Sequence, residues 1–417
     1  MNIRAKLGLT ALVAVGFSSL AQAYDWPQWR GPNRDDLSKE TNLLDKWPAS
    51  GPERAWLYSD GGAGYSGFAV ADGRLITMGA DESTESVYAL DATTGEPLWS
   101  TEVGPRLSNG WGDGPRSTPT IDGDHTYALG GEGNLVCVKS ATGKKVWEKS
   151  LTEDFGGSVP NWGYTESVLV DGDVVVCTPG GSRGAIVALN KTTGATVWAT
   201  NEFKDGAQYS SIIKATILDK PQYIQRTMES LVGVDPANGK ILWKTDFPGR
   251  TAMIPTPIVQ GDMVYITGGY GTGCKTVRIK PGFEVEEVYS NRLMKNHHGG
   301  VILLDGNVYG FSDGVGWLCQ DLESGDEVWS DKSREAIGKG AVSYADGKLY
   351  LVGEDTGDIG LLNATAEGYQ EVSRFTLEPQ SEIRSSRGKI WVHPVIANGK
   401  LYLRDQDMIY CYNVAAN

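Results

Sequence analysis

The chain has 417 residues and a formal net charge of −14 at pH 7. This acidity argues against charge-driven binding to nucleic acid or to an anionic membrane surface. Glycine occurs 54 times and tryptophan 13 times, a composition typical of all-β proteins in which glycine-rich turns join short aromatic strands.

The first 23 residues have the features of a secretory signal peptide. Arg4 and Lys6 precede an apolar run at residues 7–20, and AQA at 21–23 is a small-x-small cleavage motif. The apolar run is too short to span a bilayer, and the residue after the motif is Tyr24 rather than a lipid-bearing cysteine. The sequence therefore predicts a periplasmic or secreted protein with no membrane span and no lipid anchor.

One motif recurs along the rest of the chain: a polar residue, a glycine four positions later and a tryptophan four positions after that. Its clear copies are Asp91–Trp99, Lys139–Trp147, Asn190–Trp198, Asp235–Trp243 and Asp321–Trp329. Degenerate copies end at Trp56, Tyr289 and Phe375, which makes eight copies at intervals of about 45 residues. A second pattern, two apolar runs around a tight turn as in VADGRLITM, also occurs eight times.

Each repeat predicts four short antiparallel strands, labelled A to D, which together form one blade of a β-propeller. Eight copies predict a single eight-bladed propeller over residues 24–417. The last repeat, residues 391–414, lacks a D strand, whereas Trp56 lies in a D strand with no A, B or C before it. We therefore expect the two chain ends to complete the eighth blade together and close the ring.

The TGxxxW ending of the blades resembles that of the pyrroloquinoline-quinone (PQQ) repeat family of eight-bladed propellers, over about residues 26 to 413. The resemblance implies that each tryptophan packs between neighbouring blades.

One branch of that family, the quinoprotein alcohol dehydrogenases, holds PQQ and Ca²⁺ at the ring centre. Another branch is the lipoprotein scaffold of outer-membrane protein assembly, which binds partner proteins. The chain lacks the dehydrogenases' disulfide between adjacent cysteines and the scaffold's lipid-bearing cysteine. Its opening DWPQWRGPNRD resembles exported PQQ-repeat proteins.

In such a propeller the A strands line a central channel, and ligands bind at the mouth formed by the D–A and B–C loops. The candidate ligand-binding residues at this mouth are Arg116, Trp162, Tyr164, Tyr209, His297, His298 and Trp391. Arginine offers paired hydrogen bonds to a carboxylate, and aromatic rings offer a stacking face. These residue types suit a flat anionic molecule, of which PQQ is one. The alternative is that the same side chains only fill the ring.

The stretch NHHGG at 296–300 places two histidines side by side at the start of the A strand of blade 6. Neighbouring residues of a strand point to opposite sides, so we expect one histidine to face the channel and the other to pack against an adjacent blade. That arrangement disfavours a chelating pair, and no ligand spacing typical of zinc occurs elsewhere. The sequence therefore predicts no metal site, and it identifies no catalytic residue.

These observations favour a non-catalytic exported binding or scaffold protein, expected to be a monomer. Its channel mouth would take a small anionic molecule, a glycan or a protein. The first alternative is a dehydrogenase that uses PQQ and calcium to oxidise an alcohol, sugar or polymer hydroxyl. The second alternative is an outer-membrane protein assembly scaffold.

Overall fold

The computed structural model describes residues 24–416, so the predicted signal peptide at residues 1–23 lies outside the described residues. Thirty-two strands form eight four-stranded antiparallel sheets arranged as a propeller. Helix in this part of the chain is limited to one 3-10 turn at Pro281–Phe283. The prediction of an all-β, eight-bladed propeller is therefore confirmed. No helix within residues 24–416 is long and apolar enough to cross a membrane.

The strands follow the repeats in chain order. The first strand, β1 (Arg54–Tyr58), belongs to blade 8. Blade 1 contains β2 (Ala69–Ala71), β3 (Arg74–Ala80), β4 (Thr84–Asp91) and β5 (Pro97–Pro105). Blade 2 contains β6 (Thr120–Asp122), β7 (His125–Leu129), β8 (Asn134–Lys139) and β9 (Lys145–Ser150). Blade 3 contains β10 (Leu169–Asp171), β11 (Val174–Cys177), β12 (Val187–Asn190) and β13 (Thr196–Ala199). Blade 4 contains β14 (Ile213–Ile217), β15 (Lys220–Arg226), β16 (Ser230–Val234) and β17 (Ile241–Asp246).

The second half of the ring continues in the same way. Blade 5 contains β18 (Ile258–Gln260), β19 (Met263–Gly268), β20 (Gly273–Ile279) and β21 (Val285–Asn291). Blade 6 contains β22 (Val301–Leu304), β23 (Asn307–Ser312), β24 (Gly316–Asp321) and β25 (Glu327–Asp331). Blade 7 contains β26 (Gly340–Ala345), β27 (Lys348–Gly353), β28 (Asp358–Asn363) and β29 (Glu371–Thr376). Blade 8 contains β30 (Val395–Ala397), β31 (Lys400–Asp405), β32 (Met408–Asn413) and the N-terminal β1.

Blade 8 closes the ring as expected. Its strand order is β1-β32-β31-β30, so the N-terminal strand takes the outer D position beside the C-terminal strand. Trp56 pairs with Cys411 in the antiparallel register of this seam. Because both chain ends contribute to one sheet, the ring opens only if these main-chain hydrogen bonds break.

The hydrophobic core lies between the blades, because the middle strands of each blade are buried on both faces. Tyr127 and Leu135 of blade 2, for example, pack in one cluster with Val175 and Leu189 of blade 3. All five cysteines are buried free thiols in such clusters, where a thiol acts as a small apolar side chain.

The aromatic residue at the end of a D strand docks on the next blade. The indole N–H of Trp99 in blade 1 donates to the carbonyl of Ser140 in blade 2 at 3.0 Å. Four other blades repeat this bond, between Trp56 and Ala92, Trp147 and Lys191, Trp198 and Pro236, and Trp329 and Thr365. The motif glycine lies under the ring: Gly143 has a φ of 70°, and a Cβ there would lie 2.5 Å from Trp99. This contact explains why the motif pairs a glycine with a tryptophan.

Residues 24–43, which we call the channel segment, contact the inner edge of every blade. Main-chain hydrogen bonds join Trp26, Pro27 and Ser38 to blades 1, 2 and 7, and side chains reach the other five. The partners in blades 1 to 8 are, in order, Val70, Ile121, Val168, Ile212, Thr256, Val301, Tyr344 and Ile396. The centre of the ring is therefore filled by the chain's own N-terminal residues.

Two buried arginines of the channel segment satisfy carbonyl groups at these inner edges. Nη1 of Arg34 donates to Ser167 O at 2.9 Å and to Ile212 O at 2.8 Å, and Nη2 of Arg30 donates to Val301 O at 2.6 Å. An innermost strand has one edge without a neighbour, so its buried carbonyls need donors from elsewhere. Burial lowers the pKa of Arg34 to about 10, although the nearby Glu166 opposes the shift.

Candidate functional site

A cavity of about 380 Å³ opens at the mouth of the channel, above the channel segment. Six of the seven sequence-predicted site residues line it, namely Arg116, Trp162, Tyr209, His297, His298 and Trp391. They come from the starts of A strands and the loops before them in blades 2, 3, 4, 6 and 8. Tyr164 does not line the cavity: it is fully buried, and its hydroxyl donates to Pro179 O at 2.9 Å. Its neighbour Thr165 takes the cavity-facing position instead.

Arg116 faces the cavity, and no carboxylate of the described residues lies within salt-bridge distance of it. Its Nε donates to Trp162 O and its Nη2 to Gly112 O, both at 2.7 Å. Its guanidinium lies over the Tyr65 ring at 4.9 Å. These contacts fix the orientation of the side chain, and they leave Nη1 without a protein partner among the described residues. Burial lowers the pKa of Arg116, because a charged group is less stable when removed from water.

Aromatic side chains form the walls of the cavity. Tyr65 packs against Trp391 with ring centroids 4.9 Å apart, and Trp162 packs against Tyr209 at 5.7 Å in an edge-on arrangement. Trp111 is 41% exposed at the rim. Paired rings of this kind resist rotation, so their faces are already arranged for stacking on a flat molecule.

His297 lies four blades away from Arg116, on the opposite side of an eight-membered ring. Its Nδ1 is 2.9 Å from Nζ of Lys339, which in turn pairs with Asp313 at 2.7 Å. An ammonium group can only donate, so Nδ1 accepts and the ring proton lies on Nε2. Burial, helped by the charges of His298 and Lys339, lowers the pKa of His297 to about 3. His297 is therefore a neutral hydrogen-bond donor at neutral pH.

His298 also lines the cavity, which corrects the expectation that the two histidines point in opposite directions. The strand β22 begins only at Val301, so the histidines belong to a loop and strand alternation does not apply to them. Their ring centroids lie 5.1 Å apart. Nε2 of His298 is 3.0 Å from Glu354, and burial lowers the pKa of His298. Burial opposes ionisation of Glu354, but His298, Lys339 and Trp391 outweigh it and lower the pKa of that carboxyl group.

The floor of the cavity joins it to the channel segment. Trp29 packs on His393 with ring centroids 4.6 Å apart, and its indole N–H donates to Thr256 at 3.2 Å. His393 is fixed from both sides, by Asp36 at 3.1 Å and by the carbonyl of His298 at 2.9 Å. The channel therefore ends below the cavity, and the cavity is a pocket rather than a passage.

Tyr65 and Lys339 also line the cavity, each at the start of an A strand, where the sequence predicts candidate site positions. The lining residues that were not predicted are Trp29, Tyr270, Glu354 and Lys389. Tyr270 and Glu354 lie in B–C loops, which face the mouth in every blade. A search of those loops would have found both. Trp29 belongs to no repeat, so the sequence pattern does not indicate that it lines the cavity.

The side chains of the cavity do not suit a calcium ion, which takes about six to eight oxygen ligands. Glu354 is the one carboxylate among the lining residues, and its Oε2 accepts from Trp391 at 2.9 Å while lying 3.0 Å from His298. Within residues 24–416, no group of three His, Cys, Asp or Glu side chains is placed to hold a metal ion. The aromatic walls and Arg116 suit a flat organic anion, but not the calcium that accompanies PQQ in the quinoprotein dehydrogenases.

Comparison with known proteins agrees with the repeat pattern. The family model described as outer membrane protein assembly factor BamB matches residues 83–331. A curated relative, outer membrane protein assembly factor BamB of Burkholderia pseudomallei (strain K96243), is 26% identical over 282 residues. That alignment covers 57% of this chain and 71% of the relative.

Solved structures share the fold at low identity. BamB from Moraxella catarrhalis superposes with a TM-score of 0.58 at 16% identity, covering 84% of this chain and 95% of that one. The quinohemoprotein alcohol dehydrogenase from Comamonas testosteroni superposes with a TM-score of 0.61 at 12% identity, covering 94% of this chain and 81% of that one. At these identities the two structures support the fold and say nothing about the ligand.

Proposed function

The chain belongs to the PQQ-repeat family described as outer membrane protein assembly factor BamB, and on that premise we propose that it is a non-catalytic binding protein. Its ligand is a small, flat, anionic molecule held at the mouth of the central channel. We further propose that the protein works as a monomer in the periplasm or outside the cell. This location is supported by the signal-peptide pattern and by a relative named as an outer membrane assembly factor.

The observation that carries this proposal is the unpaired guanidinium of Arg116. Within residues 24–416, no carboxylate lies within salt-bridge distance of it, and two main-chain carbonyls aim it at the cavity. Arg116 is half-buried, and Glu85 and Asp113 act on its charge only from beyond salt-bridge distance, so its partial removal from water carries a cost that no contacting counter-ion offsets. A ligand carboxylate at Nη1 would remove that cost and form a charge-assisted hydrogen bond.

The rest of the cavity supports a ligand that is flat and carries an acceptor at its far end. Trp162, Tyr209, Tyr65 and Trp391 provide ring faces on both flanks between blade 2 and blade 6. On the far side, His297 offers an N–H donor without a charge. The ligand class that matches this arrangement is an aromatic carboxylate with a second oxygen across the ring.

Calorimetry with 4-hydroxybenzoate and its neutral analogue 4-hydroxybenzamide tests the proposal. We expect only the acid to bind, and we expect Arg116→Gln to weaken its binding by about tenfold or more. Arg106→Gln is the matched control, because Arg106 lies in the same loop but pairs with Asp113 at 3.1 Å. Equal binding of acid and amide would contradict the proposal. Alcohol-dependent dye reduction with added PQQ and Ca²⁺ would support the dehydrogenase alternative instead.

A second candidate function is a scaffold that binds protein partners. Two observations favour it. The matching family is described as an outer membrane protein assembly factor, and three exposed aliphatic side chains occupy equivalent D-strand positions in blades 1, 2 and 3. Leu98, Val146 and Val197, each just before the docking tryptophan, are 48%, 40% and 53% exposed. Exposed apolar side chains along outer edge strands suit pairing with a strand of another protein. Loss of a co-purifying protein on changing all three to serine would support this function.

A further inference from the structure

The main-chain nitrogen of Tyr24 lies 3.0 Å from Oε1 of Glu40, on the side of the ring away from the ligand cavity. Glu40 is 2% exposed. Its other contacts are the main-chain N–H groups of Asn398 at 2.7 Å and Gly399 at 3.0 Å. One buried carboxylate thus joins the start of the channel segment, its end and the turn between β30 and β31 of blade 8.

No Lys, Arg or His side chain of residues 24–416 forms a salt bridge with Glu40. Three N–H groups therefore stabilise a buried negative charge without a cation. Burying an ionised carboxylate without an opposite charge costs free energy even when it is hydrogen-bonded. A positive charge at the position of the Tyr24 nitrogen would complete this site.

Tyr24 is the residue that follows the AQA motif. Cleavage of the peptide bond after Ala23 would turn its amide nitrogen into an α-amino group, which has a pKa of about 8 and is mostly protonated at neutral pH. We propose that processing after Ala23 creates an α-ammonium group on Tyr24 that pairs with Glu40 and fixes the channel segment in the ring. While the leader is attached, the same nitrogen is a neutral amide with a single N–H.

The consequence is that processing strengthens the centre of the fold. The channel segment contacts all eight blades, and the Tyr24–Glu40 pair closes it into a loop anchored to blade 8. In the unprocessed chain the Tyr24 nitrogen is bonded to the leader and cannot carry this charge. Its ring is therefore less stable before export than after it. This inference rests on the predicted signal peptide and is independent of the proposed ligand.

The test compares two forms of the full mature chain. One begins at Tyr24, released from an N-terminal fusion by a protease that leaves no extra residue. The other retains Gln22 and Ala23, so that the nitrogen of Tyr24 stays an amide. We expect the form that begins at Tyr24 to melt about 2 °C or more higher. We expect Glu40→Gln to abolish the difference between the two forms.

The pH dependence gives a second readout. Pairing raises the pKa of the α-amino group above its unfolded value, so the advantage is fully present below about pH 8 and is lost as pH rises through the folded value. Equal melting of the two forms at pH 7, or a difference that Glu40→Gln leaves intact, would overturn the inference. If Glu40→Gln does not fold, N-acetylation of Tyr24 replaces it and must remove the advantage. N-terminal sequencing of the exported protein must also begin at Tyr24.

Discussion

Oδ2 of Asp36 lies 3.1 Å from Nδ1 of His393 and 3.1 Å from Nε of Arg30. All three side chains are buried. Asp36 belongs to the channel segment, and His393 forms the cavity floor with Trp29. The Asp36 carboxylate therefore links the segment that fills the channel to the floor of the ligand cavity.

Asp36→Asn is expected to lower the free energy of unfolding by about 3 kcal/mol, because it leaves the buried Arg30 without its counter-charge. Chemical denaturation measures this loss. Asp25→Asn is the control, since it makes the same chemical change on an exposed residue of the same segment and should cost little. Equal effects of the two substitutions would show that the buried carboxylate does not stabilise the fold.

Glu166 gives a prediction about pH. Burial raises its pKa to about 7, although Thr178 and Arg34 oppose the shift. A carboxyl group with a raised folded pKa contributes stability below about pH 4.5, and that contribution is lost as pH rises through about 7. Glu166→Gln should therefore raise the melting temperature at pH 8 relative to the wild type, by an amount equivalent to about 1 to 3 kcal/mol.

The gain from Glu166→Gln should shrink or reverse at pH 5, where the wild-type carboxyl group is already protonated. Glu153→Gln, an exposed change in the preceding loop, should show no such pH dependence. A constant difference at both values of pH would mean that ionisation of Glu166 is not the cause.

The propeller could be predicted because its determinants are local and repeated. Each turn glycine and docking tryptophan recurs at a fixed spacing. The contact of Gly143 with Trp99 shows that this spacing places the glycine of one blade against the tryptophan of the blade before it. The eight-fold count also predicted the seam at Trp56. The channel segment escaped prediction because it has no repeat, and its partners lie up to 374 residues away in the chain.

The candidate site could be predicted in part, because the starts of the A strands face the mouth in every blade. Tyr164 was misplaced by one position along the chain, since Thr165 takes the cavity side. The two histidines were expected to point in opposite directions, as neighbouring residues of a strand do. They lie outside the strand, because β22 begins after Gly299 and Gly300. The positions of Glu354 and Lys389 depend on how loops of different blades meet, which residue spacing does not specify.

Gly143→Ala tests how a docking tryptophan determines the turn beneath it. A Cβ at Gly143 would lie 2.5 Å from the Trp99 ring, at a φ of 70°. We expect a loss of about 3 kcal/mol, from backbone strain and displacement of the indole. Gly73→Ala separates the two causes, because Gly73 has a φ of 72° and nothing lies within 4 Å of its Cβ position. It should cost only about 1 kcal/mol, and equal losses would exclude a role for the tryptophan contact.

The last prediction concerns the charge that holds the ligand. If Arg116 supplies the positive charge and His297 is neutral, the affinity for 4-hydroxybenzoate should stay constant between about pH 5.5 and 8. A site that used a protonated histidine would lose affinity as pH rose through about 6.5. Calorimetry across this range separates the two cases. NMR titration of the imidazoles gives the matching readout: His297, with its pKa lowered to about 3, should stay neutral throughout. Protonation of His297 above pH 5 would contradict both the burial argument and its assignment as a neutral donor.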